Sequence, residues 1–289
     1  MTATLIRPAA AARLGVAGGG RRALERGYRV GALLGRGAEA DVYEATDLLS
    51  GGSAALKIFR TGTVHPDSPF NREIELHARL HHNNIVRIKR YGRMPADGGT
   101  GSGRNYVAAE LAAGTDLRKA IHDGPLDPAD VTAWMGGVAS ALSYIHRKGI
   151  VHNDVKPANI MVSRTDGMSS KAEAKLIDFG IATSSWHRPN TDVSGTPHYL
   201  SPEAVHGQHT TSASDIYALG LVIFESLTGI KAFPGPALES MVARTLRSPR
   251  LPATVQRRWS RLLLAMTDAD PARRPSAAEV HRTLHKISR

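Results

Sequence analysis

The chain has 289 residues, no cysteine, 42% apolar and 22% charged residues, and a formal charge of +11. That length can bury one large core or two modest ones, and the missing thiols exclude disulfides, cysteine nucleophiles and cysteine metal sites. Arg7, Arg13, Arg21, Arg22 and Arg26 stand against the lone Glu25 near the start, the remaining charge is dispersed, and no aromatic-and-basic motif accompanies it, so no specific nucleic-acid partner is expected.

Residues 1–27 are rich in Ala, Gly and Arg and lack apolar periodicity, so a disordered basic tail is expected there. From Tyr28 the pattern becomes strand-like. Apolar runs at 28–34, 42–45, 54–59, 85–91 and 106–111 are bounded by Gly, Ser or Asp turns and predict five strands of one sheet. A helix over 70–80 interrupts them. Beyond residue 111 the chain turns helical. Asp127 before Pro128 is a helix start, and Gly149 suits the stop, which frames a helix over 128–148. The uncharged stretch inside it, 131–145, is too short to span a membrane. The N-terminus has no apolar signal-peptide core, so a cytoplasmic chain without a transmembrane segment is expected.

Ile216, Leu219, Gly220, Ile223, Phe224 and Leu227 recur at helical spacing before Gly229, as in a helix central to a core. Ser276 and Glu279 form a capping box that opens a last helix to about residue 287. The fold class is therefore α+β and bilobal, a small antiparallel sheet lobe with one helix followed by a larger helical lobe. The cleft between lobes is where a small-molecule site belongs.

Three segments carry chemistry. Gly35-Arg36-Gly37-Ala38-Glu39-Ala40-Asp41-Val42 joins two strands, and its glycines let backbone close over phosphates. No helix follows it and no Gly-Lys-Ser/Thr ends it, which excludes a Walker or dinucleotide loop. Lys57 lies in an apolar strand and needs an anion to offset desolvation, which Glu73 on the next helix can supply. The densest signal is His152-Asn153-Asp154-Val155-Lys156-Pro157-Ala158-Asn159, then Lys175-Leu176-Ile177-Asp178-Phe179-Gly180. Two carboxylates, an ammonium and an amide so close to apolar runs mark a site.

These segments resemble the eukaryotic-like (Hanks-type) serine/threonine protein kinases of bacteria. The resemblance covers one kinase domain over 28–287, with an N-lobe at 28–111 and a C-lobe at 112–289. It implies an enzyme that moves the γ-phosphoryl group of ATP, with Mg2+ or Mn2+, to Ser and Thr of a protein substrate and to itself. Leu34, Gly35, Gly37, Val42 and Ala55 would enclose the nucleotide, with Glu110 and Leu111 at the hinge beside adenine. Lys57, paired to Glu73, would contact the α and β phosphates. Asp154 would orient the substrate hydroxyl, Lys156 would neutralise the moving phosphoryl, and Asn159 and Asp178 would hold the metal. Thr196 would bond Asp154 and Lys156. Residues 195–203 resemble the end of an activation segment, with Glu203 paired to Arg274. A catalytically silent scaffold and a small-molecule phosphotransferase remain as rivals, and the oligomeric state is open.

Four positions depart from the family pattern. Ala40 replaces a third loop glycine, Ala109 puts a methyl where a bulky side chain usually closes the adenine pocket, and His77 stands where an apolar residue is usual. Asn153 replaces an arginine that grips a phosphorylated activation-loop residue, and an amide cannot supply that charge. Activity is therefore expected to stay within about tenfold when Thr183, Ser184, Ser185, Thr191 and Ser194 are all changed to Ala. A loss of several orders of magnitude in a kinase assay would refute this.

Overall fold

Period-two burial builds the N-terminal sheet and at the same time aims its polar residues at the cleft. In the strand Ser53–Phe59, Ala54, Leu56 and Ile58 are buried on one face, so Ala55 and Lys57 share the other. The computed structural model describes residues 23–24, 27–37, 40–60, 69–94, 103–164, 172–178 and 197–287, with backbone alone at 23–24 and 69–73. In chain order the N-terminal elements are β1 (Ala23–Leu24), β2 (Tyr28–Arg36), β3 (Ala40–Asp47), β4 (Ser53–Phe59), α1 (Pro69–Ala78), β5 (Ile88–Arg93) and β6 (Asn105–Glu110). They form an antiparallel sheet in the order β1-β2-β3-β4-β6-β5.

Besides shifts of one to three residues at most element ends, two differences from the sequence expectation stand out. Ala23 and Leu24, expected in the tail, pair with Arg29 and Tyr28, and Gly27 at φ 105° permits the tight return that brings them there. Ile85 is not a sheet residue. It bridges in parallel to Leu176, while the Val86 N–H donates to Leu176 O and the Leu176 N–H to Asn84 O, both at 2.9 Å. The start of the fourth expected strand thus ties the small lobe to the large one, and β5 begins three residues later. The rest of the tail lies outside the described residues.

The C-terminal part comprises β7 (Thr115–Asp116), α2 (Leu117–Ile121), α3 (Pro128–His146), β8 (Ile160–Arg164), β9 (Ala172–Leu176), α4 (Pro202–Val205), α5 (Ser212–Thr228), α6 (Ala237–Leu246), α7 (Arg257–Met266) and α8 (Ala277–Ile287). The expected caps at Asp127, Gly229 and Ser276 are present, and α5 carries a further one at its start. Asp127 accepts from the Ala129 N–H, Thr211 and Ser214 cap each other's backbone at α5, and Gly229 ends α5 at φ 72°. Ser276 and Glu279 exchange hydrogen bonds at the start of α8. A cluster of Tyr28, Ala45, Ala54, Leu56, Ile58, Tyr106 and Ala108 fills the outer face of the small sheet. Its inner face, with Val107, Phe59 and Ile74, joins the large core around α3 and α5. No helix among the described residues is long and apolar enough to cross a membrane.

Candidate active site

The cleft between the sheet and the helical part is a cavity of about 520 Å3. Leu34, Gly35, Val42, Ala55 and Lys57 line it from β2, β3 and β4, Ala109, Glu110 and Leu111 from the end of β6, and Met161, Leu176 and Asp178 from the far side. Strand register explains the roof, since Val42 pairs with Lys57 and Ala55 with Ala109. A Cβ on Gly35 would meet nothing within 4 Å, and one on Gly37 only Ala40 O at 3.3 Å. Packing therefore does not demand a glycine at position 35, where the missing side chain leaves room at the cavity for a ligand, whereas at Gly37 a side chain would crowd the Ala40 carbonyl.

Two groups of polar residues meet beside it. Lys57 Nζ lies 2.8 Å from Asp178 Oδ1 and 5.5 Å from the centre of the Phe59 ring. Lys156 Nζ lies 2.7 Å from Asp154 Oδ2. Asn159 Nδ2 donates to Asp154 Oδ2 at 2.7 Å and to Asp154 O at 2.9 Å, and Asn159 is almost fully buried. A 3-10 turn, Pro157–Asn159, presents the amide, and the Ile177 N–H donates to Asn159 O at 2.9 Å, which locks the two polar segments side by side. Asp178 takes a left-handed conformation at φ 48°, and Asn153 does so at φ 63°. Asparagine tolerates that region better than most side chains.

A buried carboxylate anchors the loop from below. Asp215, on the first turn of α5, accepts the N–H groups of His152 (2.8 Å) and Asn153 (2.9 Å) and sits 2.8 Å from His146 Nε2. Two peptide groups are thereby held directly before Asp154. Nothing in the local pattern around Ser214-Asp215 signalled this role, because both partners are more than sixty residues away in the chain.

Sequence reasoning also missed Asp116, Lys119 and Met161. Asp116 lines the mouth of the cavity, caps α2 by accepting the Lys119 N–H at 3.0 Å, and lies 3.2 Å from Lys119 Nζ. Helix-capping Asp is common, so only its position at the rim distinguishes it. His77, expected to be partly buried, is buried outright at the back of the cavity, where burial, aided by nearby His152, pushes its imidazole down to about 3. It is neutral at physiological pH. The Glu110 side chain is tied to Lys175 on β9 at 2.5 Å.

Of the expected site residues, the structure brings together Leu34, Gly35, Val42, Ala55, Lys57, Glu110, Leu111 and Asp178 around one cavity, and Asp154, Lys156 and Asn159 form a cluster linked to it through Asn159 Nδ2, 3.4 Å from Asp178 O. Gly37 directly follows β2, outside the cavity lining, its N–H donating to Ala40 O at 2.9 Å. Glu73 belongs to α1, but its side chain lies outside the described residues, as do Thr196 and the acceptors Thr183, Ser184, Ser185, Thr191 and Ser194.

Comparison with known proteins gives one family. Residues 28–285 match the protein kinase domain. A probable serine/threonine-protein kinase of Corynebacterium efficiens is 38% identical over 217 residues, 72% of this chain and 32% of that protein. Serine/threonine-protein kinase PknB of Mycobacterium leprae is 34% identical over 233 residues, 78% of this chain and 36% of that protein. Serine/threonine-protein kinase PrkC of Bacillus subtilis is 34% identical over 264 residues, 87% of this chain and 39% of that protein. The match thus spans between about a third and two fifths of the length of these relatives.

Proposed function

The chain belongs to the protein kinase domain family, and from that premise we propose that it transfers the γ-phosphoryl group of ATP to serine and threonine hydroxyls of protein substrates. The observation that carries this reading is the Lys156–Asp154–Asn159 cluster set beside the Lys57–Asp178 pair that lines a nucleotide-sized cavity. The apolar walls suit a purine, and the open space beside Gly35 suits phosphates.

In this reading Asp178 and Asn159 hold Mg2+, with Mn2+ as an alternative. Two protein oxygen donors are too few for a free-standing metal site and match an ion that keeps waters and shares substrate phosphates. When bound, the ion neutralises charge on the phosphates. Lys57 directs a cation at the triphosphate, Asp154 orients the acceptor hydroxyl and takes its proton, and Lys156 offsets charge on the group in transfer. Most of the acceleration comes from positioning, which the anchoring of the loop by Asp215 supplies. The kinase domain covers residues 28–287, and a cytoplasmic site of action agrees with the supply of ATP there.

The test is incubation of the wild-type chain with γ-labelled ATP, Mg2+ and a generic protein substrate, followed by phosphoamino-acid separation. Label on Ser and Thr is expected. ATP binding without label transfer would favour the scaffold reading, and transfer to small molecules alone would favour the phosphotransferase.

Ala109 gives a sharper test of the adenine register. Its methyl faces Ala55 across β4 and β6 and lines the cavity. Wild type should use ATP bearing a benzyl group at N6, and Ala109→Met should reduce use of that analogue by roughly tenfold to a hundredfold while sparing ATP, the scale on which apolar pockets discriminate. Equal analogue use by both proteins, measured as kcat/KM, would show that the pocket argument fails.

A further inference from the structure

Three contacts hold residues 198–200 beside the loop that carries Asp154. His198 Nε2 lies 3.0 Å from Gly235 O, the Tyr199 hydroxyl donates to Glu225 Oε2 at 2.6 Å, and Leu200 O accepts from Arg244 Nη1 at 2.5 Å. A small cavity of about 30 Å3 remains where Asn153 and Asp154 meet Tyr199, Leu200 and Ser201. Arg244, on α6, is the unusual member of this set. It is buried, donates to Ser240 O and Ser240 Oγ through Nε and Nη2 at 3.1 and 2.7 Å, and lies 5.3 Å over the Phe233 ring. No carboxylate among the described residues pairs with it, and burial lowers its pKa. A buried cation without an anion adds little to stability, so the fold alone does not account for it.

We infer that Arg244 is a positioning residue for the acceptor segment of the protein substrate, acting through the Leu200 carbonyl. The inference rests on the proposed kinase activity. Asp154 borders two regions. Through Asn159 it reaches Asp178 and the nucleotide cavity, and it also lines the small cavity with Tyr199 and Leu200, neither of which lines the nucleotide cavity. With ATP in the first region, a polypeptide that offers its hydroxyl to Asp154 passes over the second, and residues 198–200 form its floor. Residues 197–199 make a single 3-10 turn, so side-chain bonds rather than a strand ladder set the height of that floor. The guanidinium is itself fixed, because its other two bonds go to Ser240, one turn earlier on the same helix. A rigid planar fork thus transmits the position of α6 to Leu200 O. A floor displaced by about 1 Å misplaces the acceptor hydroxyl.

Steady-state transfer by the full chain to a peptide pool with Ser or Thr fixed between degenerate flanks tests it. Arg244→Met keeps a long apolar side chain in the buried site and removes every donor. It should raise the apparent KM for the pool roughly tenfold, the scale of one lost charge-assisted hydrogen bond, and leave KM for ATP within about twofold. Arg244→Lys should recover most of the loss, because a single carbonyl needs a single charged donor. Ser240→Ala, which loosens the guanidinium, should raise the same KM by about threefold, and it carries the test if the methionine variant does not fold. A peptide KM unchanged in folded Arg244→Met, or in Ser240→Ala where the methionine variant does not fold, overturns the inference. So does an equal rise in KM for ATP, and so does a fall in kcat alone, since a residue that merely supports the fold gives either. Those results leave the kinase activity standing. A wild type that labels no peptide in the pool overturns the proposed activity and this inference together.

Discussion

Asp154→Asn should lower phosphoryl transfer by roughly a thousandfold and leave ATP affinity within a few-fold, the loss expected when a positioned base is removed. Asp154 Oδ2 lies 2.7 Å from both Lys156 Nζ and Asn159 Nδ2, so the carboxylate is already oriented by two donors before any substrate arrives. The loop around it does not depend on its charge. His152 and Asn153 are hung from Asp215 through their backbone N–H groups, and the Ile177 N–H holds Asn159 O. An amide of the same shape therefore removes proton acceptance with little change in geometry. Single-turnover transfer with γ-labelled ATP, alongside calorimetric ATP binding, separates the two effects. Activity within tenfold of wild type would remove Asp154 from the chemistry. A parallel collapse of ATP binding would mean that the residue holds the site together instead.

Arg274→Ala should destabilise the fold by about 3–5 kcal/mol, the cost of leaving a buried carboxylate without its partner. The Arg274 side chain is 0% exposed and grips Glu203 with two bonds, Nη1 to Oε1 at 2.7 Å and Nη2 to Oε2 at 2.8 Å. Ser214 Oγ donates to the same carboxylate at 2.7 Å. Burial pushes Glu203 up, but the hydrogen bonds from Arg274 and Ser214 together outweigh it and hold the group at about 2. Because the folded value lies below the ordinary 4.5, this stabilisation is complete above pH 4.5 and is lost as pH falls from there toward 2. Urea melts at pH 7 and at pH 3.5 should therefore show a smaller difference between wild type and Arg274→Ala at the lower pH. Arg274→Lys should recover only part of the loss, since an ammonium cannot bond both oxygens in one plane. A mutant as stable as wild type at pH 7 would show that the pair contributes nothing.

Much of the fold was legible because it is written in short-range patterns. The helix caps at Asp127 and Ser276 are local hydrogen bonds between residues two or three apart. The alternation in β4 needed only the pleat of a strand to put Lys57 on the cleft side. The dense polar segments around Asp154 and Asp178 were legible for another reason, since so many charges beside apolar runs are costly unless they converge on something.

Other features escaped because their cause lies far along the chain. Ile85 has the composition of a strand residue, yet its partner is Leu176 in the other lobe. Asp116 reads as an ordinary cap, and only the approach of β7 and α2 to the sheet makes it part of the cavity rim. Ala23 and Leu24 carry no signal stronger than their tail-like neighbours, and their strand exists because β2 offers an open edge.

The amino-acid order by itself determined the main strands of the small sheet, the helices over 70–80 and 128–148, the helix before Gly229 and the last helix, since these follow from backbone geometry and from contacts within a few residues, while the roles of the polar segments came from their resemblance to a family. Only the tertiary structure decided that Lys57 meets Asp178 and that Asp215 carries the loop before Asp154. It alone set the depth at which His77 lies. Those outcomes depend on how the two lobes close over a shared core, a packing problem whose solution no local pattern contains.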